Sequence, residues 1–432
     1  MPRFIFCAII TITSAVLASA QTPKSPATSQ SATKETVRAI APPKNPLPPE
    51  EASAGIEKFA FIVYGDTRGR RDGKEIQYEH SLIVEAMLNT IKKLDTTSYP
   101  IRFVLQTGDA VVNGRDPKQW NASFVDLINR LTTEGGVPYF LAPGNHDVTS
   151  AAELNDPGRQ DGLRNYLAAI TQLIPPDGAA RRLAGYPTYA FGYGNTFVIA
   201  FDSNIALDDK QFDWVKGQLE SLDRNRYVNV IAYCHHPPFS SGPHGGSRVE
   251  APTVALRNRY MPLFRQHHVK ALFVGHEHLF EHWIERYEDA GQKYRMDHIV
   301  TGGGGAPLYW YYGEPELKDY LEANKTNKVK LEHLVKPGYD RGDNPYHYTV
   351  VKVDGEQMSL EIIGVDWGSN YRPYTNSKIE TYEMRQTPNG PITGRGVNSI
   401  QLYYDGKRWW IISAAWDDER PDNPIPPEFL PK

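Results

Sequence analysis

The sequence predicts an α/β fold, on three observations. Short β-rich runs recur along the chain: FAFIVY (59–64), IRFVLQT (101–107), VPYFLA (137–142), TFVIAFD (196–202), NVIAYC (229–234) and ALFV (271–274). Longer amphipathic stretches at 78–94, 117–134 and 208–224 fall between them, which is the alternation of strand and crossover helix. Five of the runs then stop at glycine or histidine beside a carboxylate, carboxamide or imidazole, as expected where strand ends line a crevice.

A chain of 432 residues with 40% hydrophobic and 11% aromatic residues builds a packed globule. The formal net charge of -4 gives no general electrostatic case for nucleic acid or an anionic membrane. Residues 1–20, MPRFIFCAIITITSAVLASA, combine Arg3, a short apolar stretch and the small-residue exit Ala18-Ser19-Ala20. They read as a secretory signal peptide, so the protein is expected to be exported, periplasmic or secreted. No other run approaches the ~20 apolar residues of a spanning helix, so no membrane span is expected once the signal is removed. Cys234 is then the remaining cysteine, with no intramolecular disulfide to make, and reads as a small buried hydrophobe at the end of a strand.

Residues 21–55 are rich in Pro, Ser, Thr and Ala and read as a flexible linker. The main domain is expected over 56–378. It closes with YTVVKVDGEQMSLEIIGVDW (348–367), a hairpin turning at Asp354-Gly355. Residues 379–432 form a small β-rich C-terminal extension, with turns at Asn389-Gly390 and Asp405-Gly406 and Trp409, Trp410 and Trp416 as packing residues.

The chemistry sits after the runs, at Gly65-Asp66, Gly108-Asp109, Gly144-Asn145-His146-Asp147, His235-His236 and Gly275-His276-Glu277-His278. Singly, an Asp after a strand is a turn or cap residue and a His a satisfied polar group. Jointly they make a mixed N/O donor set without thiolate, suited to Mn, Fe, Zn or Co rather than to a structural zinc site. In extended chain His276 and His278 present their imidazoles on one side.

These motifs, in this order, resemble the calcineurin-like metallophosphoesterase signature over about residues 56–378. The resemblance implies a sandwich of two mixed β-sheets flanked by helices around a centre of two divalent or trivalent metal ions. Carried over, Asp109 bridges the ions, Asp66 and His278 hold the first, and Asn145, His235 and His276 hold the second. His235 is preferred to His236 because the ligand stands two residues before the proline, here Pro237. His146 stays off the metals as a general acid, oriented by Asp147 or Asp109, and Glu277 lies behind the ligands. His244, nine residues after His235, matches the loop histidine of the purple acid phosphatase-like branch. One departure concerns the first ion: Arg68 stands where many members have a ligating His, and Val112 where purple acid phosphatases have a Tyr. Water, substrate or a residue such as Asn113 is then needed to complete that position, and Arg68 is expected to face a substrate phosphate or to form an ion pair. The Gly302–Gly305 run in HIVTGGGGAPLYW lacks the following Lys of a P-loop and reads as a close-packed turn.

The implied function is an exported hydrolase cleaving phosphomonoesters or nucleotides by attack of a metal-bridging hydroxide, with a small phosphorylated substrate as partner. The alternatives are a phosphodiesterase on cyclic nucleotides, nucleic acid or lipid head groups, and a catalytically weak metal-binding scaffold. The tail segment RGVNSIQLYYDGKRWWIISAAW resembles the C-terminal strands of nuclear-transport-factor-2-like domains.

Overall fold

The computed structural model describes residues 35–69, 77–245, 249–365, 381–384, 396–404 and 409–418. The expected signal peptide and the turns at 389–390 and 405–406 lie outside them, as do the side chains of Trp409, Trp410 and Trp416. The strands are β1 (Lys58–Tyr64), β2 (Ile101–Gln106), β3 (Tyr139–Leu141), β4 (Tyr189–Tyr193), β5 (Thr196–Ala200), β6 (Asn229–Tyr233), β7 (Ala271–Val274), β8 (Phe280–Asp289), β9 (Gln292–Thr301), β10 (Lys330–Val335), β11 (Tyr346–Asp354), β12 (Gln357–Val365), β13 (Thr381–Met384), β14 (Gly396–Tyr404) and β15 (Trp409–Asp418).

They form two mixed sheets. The first runs β13-β12-β11-β1-β2-β3 and the second β10-β8-β9-β7-β6-β5-β4, with β14 and β15 paired separately. Strands β1, β2 and β3 are parallel, as are β5, β6, β7 and β9, whereas β11, β12 and β13 on one sheet and β4, β8 and β10 on the other add antiparallel edges. The parallel strands need crossovers, which the amphipathic stretches supply: helices at Tyr78–Leu94 and Asp209–Glu220, and a wide π turn at Gln119–Val125 running into a helix at Asp126–Thr133. The predicted two-mixed-sheet α/β architecture is the observed one.

Aromatic side chains from both sheets fill the space between them. Phe61 on β1 meets Phe273 on β7 edge-on at 6.2 Å, and Phe140 on β3 stacks on Phe191 on β4 at 4.2 Å. Parallel strands buried on both faces read as continuous apolar runs, which is why FAFIVY and NVIAYC carry no polar alternation.

Two parts of the chain differ from expectation. The flexible linker at 21–55 is corrected for residues 36–55, which lie as a strap against the domain. Ile40 is fully buried, and its N–H donates to Ala169 O at 2.8 Å. The N–H groups of Arg38 and Ala41 donate to the side-chain carbonyls of Asn121 and Asn129. Glu50 accepts from Arg181, Tyr227 and the Gly192 N–H. Composition misses such a strap because single anchors and side-chain amides hold it, with no hydrophobic periodicity of its own. The second difference is β13, which begins the predicted extension yet pairs with β12 and so lengthens the first sheet. An open strand edge is a template for the next strand available.

Candidate metal centre

The ends of β1, β2, β3, β6 and β7 deliver Asp66, Asp109, Asn145, His235 and His276 to one cluster, although the residues span nearly half the chain. The turns that do this are tight. Asp66, Asp109 and His276 have φ of 58°, 57° and 70°, a left-handed backbone that non-glycine residues adopt at a cost. The approach leaves no room for side chains between them: a Cβ on Gly144 would lie 2.2 Å from Asp109 Oδ1, and one on Gly275 2.3 Å from Asp66 Oδ2. His276 and His278 do face one cluster, but not by the extended-chain alternation expected. Strand β7 ends at Val274 and His276 is left-handed, so a bend aims the rings.

Hydrogen-bond roles fix the tautomers. His235 Nδ1 donates to Thr107 O (2.9 Å), His276 Nε2 to Glu250 Oε2 (3.1 Å) and His278 Nδ1 to Pro307 O (2.7 Å). Each ring therefore turns a lone pair inward. His235 Nε2 and His276 Nδ1 lie 3.1 Å apart, and Asn145 Oδ1 is 2.9 Å from the first and 3.2 Å from the second. Asp109 Oδ1 is 3.4 Å from His235 Nε2. Acceptors meeting acceptors at hydrogen-bond distance repel unless a cation lies among them. Burial holds His235 down at about 3, so protonating it does not resolve the conflict. The donors fit a metal ion of N/O preference.

The neighbouring position is different. His278 Nε2 stands 3.5 Å from Asp66 Oδ1, which has no hydrogen-bond donor. Arg68, however, reaches between the side chains, with Nε 3.0 Å from Asp109 Oδ2 and Nη2 3.2 Å from His278 Nε2. Burial opposes ionisation of Asp109, yet His235, His146 and Arg68 around it hold its carboxyl far below the usual range, while burial and the Asp109 charge push Asp66 well above it. Asn113 does not complete this position; its Oδ1 accepts from the Arg115 N–H.

His146 is partly exposed at the mouth. Its N–H donates to Asp109 Oδ1 and its Nδ1 to Val112 O (2.8 Å). The expected orienting role of Asp147 is corrected: that carboxylate accepts from the N–H groups of Ala110, Val111 and Gly144 and clamps the loops instead. His244 lies tilted against His276, ring centroids 4.4 Å apart, and Glu277 accepts from both its backbone N–H (2.8 Å) and its Nδ1 (3.3 Å). His236 turns Nδ1 to Ser203 Oγ, and its Nε2 lies 3.7 Å from Glu250 Oε2 beside the His276 ring, centroids 4.6 Å apart.

Sequence reasoning missed three contributors. Glu250 orients His276 through Nε2. Tyr309 stacks on His278 at 4.1 Å. The glycine run is more than a turn, because Gly304 N–H donates to Gly65 O, Ala306 N–H to Asp66 O, and Gly304 has no space for a Cβ beside Gly65 O. The four consecutive glycines were its signal, since backbone can approach backbone this closely only without side chains.

A two-sheet α/β sandwich whose strand ends gather carboxylate, carboxamide and imidazole over one cleft defines a phosphoesterase class. The chain belongs to the calcineurin-like phosphoesterase family, whose model matches residues 60–280. It is 27% identical over 220 residues to a probable purple acid phosphatase of Arabidopsis thaliana, covering 50% of this chain and 48% of that one. An uncharacterized protein of Mycobacterium tuberculosis is 24% identical over 261 residues, covering 51% and 47%. The chain thus spans about half the length of the curated relatives it matches. A solved purple acid phosphatase from yellow lupin (Lupinus luteus) seeds shares the fold, with a TM-score of 0.51 and 16% identity over 76% of this chain and 53% of that one. No helix among the described residues is long and apolar enough to cross a membrane.

Proposed function

We propose that the protein is an exported, metal-dependent phosphoester hydrolase acting on phosphomonoesters or nucleotides. One observation carries the reading: Asn145 Oδ1, His235 Nε2 and His276 Nδ1 meet at 2.9 to 3.2 Å beside Asp109, while the outer ring nitrogens of the two histidines are held by Thr107 O and Glu250. Family membership supports it, since the family works with a dinuclear metal centre. When bound, such ions lower the pKa of a coordinated water and neutralise charge on phosphoryl oxygens.

The chain's own residues supply the rest. Despite its burial, the Asp109 carboxyl is held below the usual range by the surrounding His235, His146 and Arg68, and the outer partners Thr107 O, Glu250 and Pro307 O keep each imidazole turned inward. His146 has Nδ1 held by Val112 O, which leaves Nε2 as the atom through which a protonated ring donates to the leaving oxygen. Opposite burial, the Glu277 hydrogen bond and charge raise the His244 pKa, which favours a cation for a phosphate dianion.

The test is hydrolysis of a chromogenic phosphomonoester and diester by the full chain at known metal loading, beside Asp109→Ala. Metal-dependent monoesterase activity lost in the variant is expected. Preferred diester cleavage points to the phosphodiesterase, and bound metal with no hydrolysis of either points to the scaffold. Export rests on residues 1–20 and is checked by mass spectrometry of the mature N-terminus after cell fractionation; an intact leader in the cytosol removes it.

A further inference from the structure

We propose that the Arg68 guanidinium is a built-in cation at the position of the family's first ion, so that this chain binds one metal, at Asp109, Asn145, His235 and His276. The inference rests on the metal-centre reading above and changes its ion count and the part Arg68 plays.

The two halves of the cleft have opposite needs. On the Asn145 side, acceptors face acceptors and a cation is required. On the Arg68 side two of the three acceptors are already served, Asp109 Oδ2 by Nε at 3.0 Å and the His278 Nε2 lone pair by Nη2 at 3.2 Å, while Asp66 Oδ1 has no donor. A guanidinium stays protonated and cannot ligate, so it can only replace an ion in that place.

Arg68 is also fixed there. Its backbone N–H donates to Asp109 O at 2.9 Å, its side chain is 16% exposed, and the Asp109 carboxylate it pairs with is 1% exposed. Moving it aside would strip a buried carboxylate of its partner, which is strongly destabilising. The fourth ligand that would offset this is missing, because residue 112 is a valine and Asn113 Oδ1 is engaged by Arg115. Charge points the same way. Asp109 is already paired with Arg68, which reduces the negative charge left for any ion bound. A second divalent ion would meet a permanent cation within a few ångströms. Asp66 retains a use without a first ion: its Oδ2 accepts the His276 N–H at 2.9 Å and holds the left-handed bend that aims the ring.

For substrate, Arg68 then supplies fixed positive charge on one side of the phosphate and the metal supplies it on the other. A metal ion in both positions would exchange with solution, whereas the arginine cannot leave. The chain's affinity for metal therefore depends on one site.

The experiment is metal stoichiometry. Full-length protein stripped of metal is titrated with Mn2+, and bound ion per chain is measured by elemental analysis, with electron paramagnetic resonance to separate isolated from coupled Mn2+. One ion per chain with an uncoupled spectrum is expected for the wild type, rising to two with a coupled spectrum in Arg68→His. Two tightly bound, coupled ions in the wild type overturn the inference while leaving the hydrolase reading intact; no bound ion overturns both. An unchanged count in an Arg68→His protein that is folded by circular dichroism also overturns it. If that variant does not fold, the wild-type count and spectrum decide alone.

Discussion

Two buried clusters of histidine and carboxylate lie in this molecule, and they behave in opposite ways. Behind β8 and β9, His282 Nε2 donates to Asp297 Oδ1 (2.6 Å), His298 Nε2 to Glu285 Oε2 (3.0 Å), and Arg265 Nη1 and Tyr320 OH to Glu285 Oε1 (2.6 and 2.7 Å). In these pairs a donor meets an acceptor. In the cleft, His235 Nε2, His276 Nδ1 and Asn145 Oδ1 are all acceptors at the same separations. Residue type and burial alone do not tell these clusters apart. The direction of the hydrogen bonds does, because acceptors that face one another at hydrogen-bond distance repel unless a cation lies among them.

Breaking the cleft should therefore change metal content, and breaking the other cluster should change stability alone. Asp109→Ala is the largest case. Metal affinity, measured by equilibrium dialysis, should fall by more than the ~10- to 100-fold typical of losing an outer partner, and hydrolysis with it. His146→Ala should keep its metal and lose ~10²- to 10⁴-fold in turnover, most on esters with poor leaving groups. Loss of metal in that variant would put His146 among the ligands. Arg265→Ala leaves buried Glu285 without its cation. It should cost about 3–5 kcal/mol in urea unfolding while the folded protein binds metal as before. Glu250→Gln tests the boundary between the clusters: a ~10- to 100-fold weaker metal site, with unfolding little changed, marks Glu250 as an orienting partner of His276.

The smallest effect is a pH slope. Burial pushes the Glu281 carboxyl up to about 7, despite hydrogen bonds from Ser240 and Ser241. The folded chain then keeps a proton that the unfolded chain has lost. The stability this gives is complete below about 4.5 and declines as pH rises toward 7, by at most about 1.4 kcal/mol per pH unit. Glu281→Gln should flatten that part of the stability profile measured by urea titration. An unaltered slope would assign it to another group.

Much of this was legible in the sequence, for identifiable reasons. The six predicted runs became strands because parallel strands buried on both faces leave continuous apolar stretches, and the polar residues after them mark where chain leaves sheet. That the strand ends could converge was legible in the motif positions, and the choice of Asp66, Asp109, Asn145, His235, His276 and His278 came from the family resemblance those motifs carry. What could not be read depends on contacts between distant segments. Glu250 gains meaning only against His276, the Gly302–Gly305 run only against Gly65 and Asp66, and the strap at 36–55 only against Asn121, Asn129 and Arg181. The geometry of His276 went astray for a local reason: extended alternation was assumed where the backbone turns left-handed. Sequence signalled the departure at Arg68 but not its consequence, since only the structure places its guanidinium between Asp109 and His278.

Those left-handed turns at Asp66, Asp109 and His276 bear on how the protein tolerates change. Each costs of order 1–3 kcal/mol that the surrounding fold must absorb, and glycine would sit there without that penalty. A population selected only for endurance to heat would drift toward smaller residues at these three corners and lose its chemistry as it hardened.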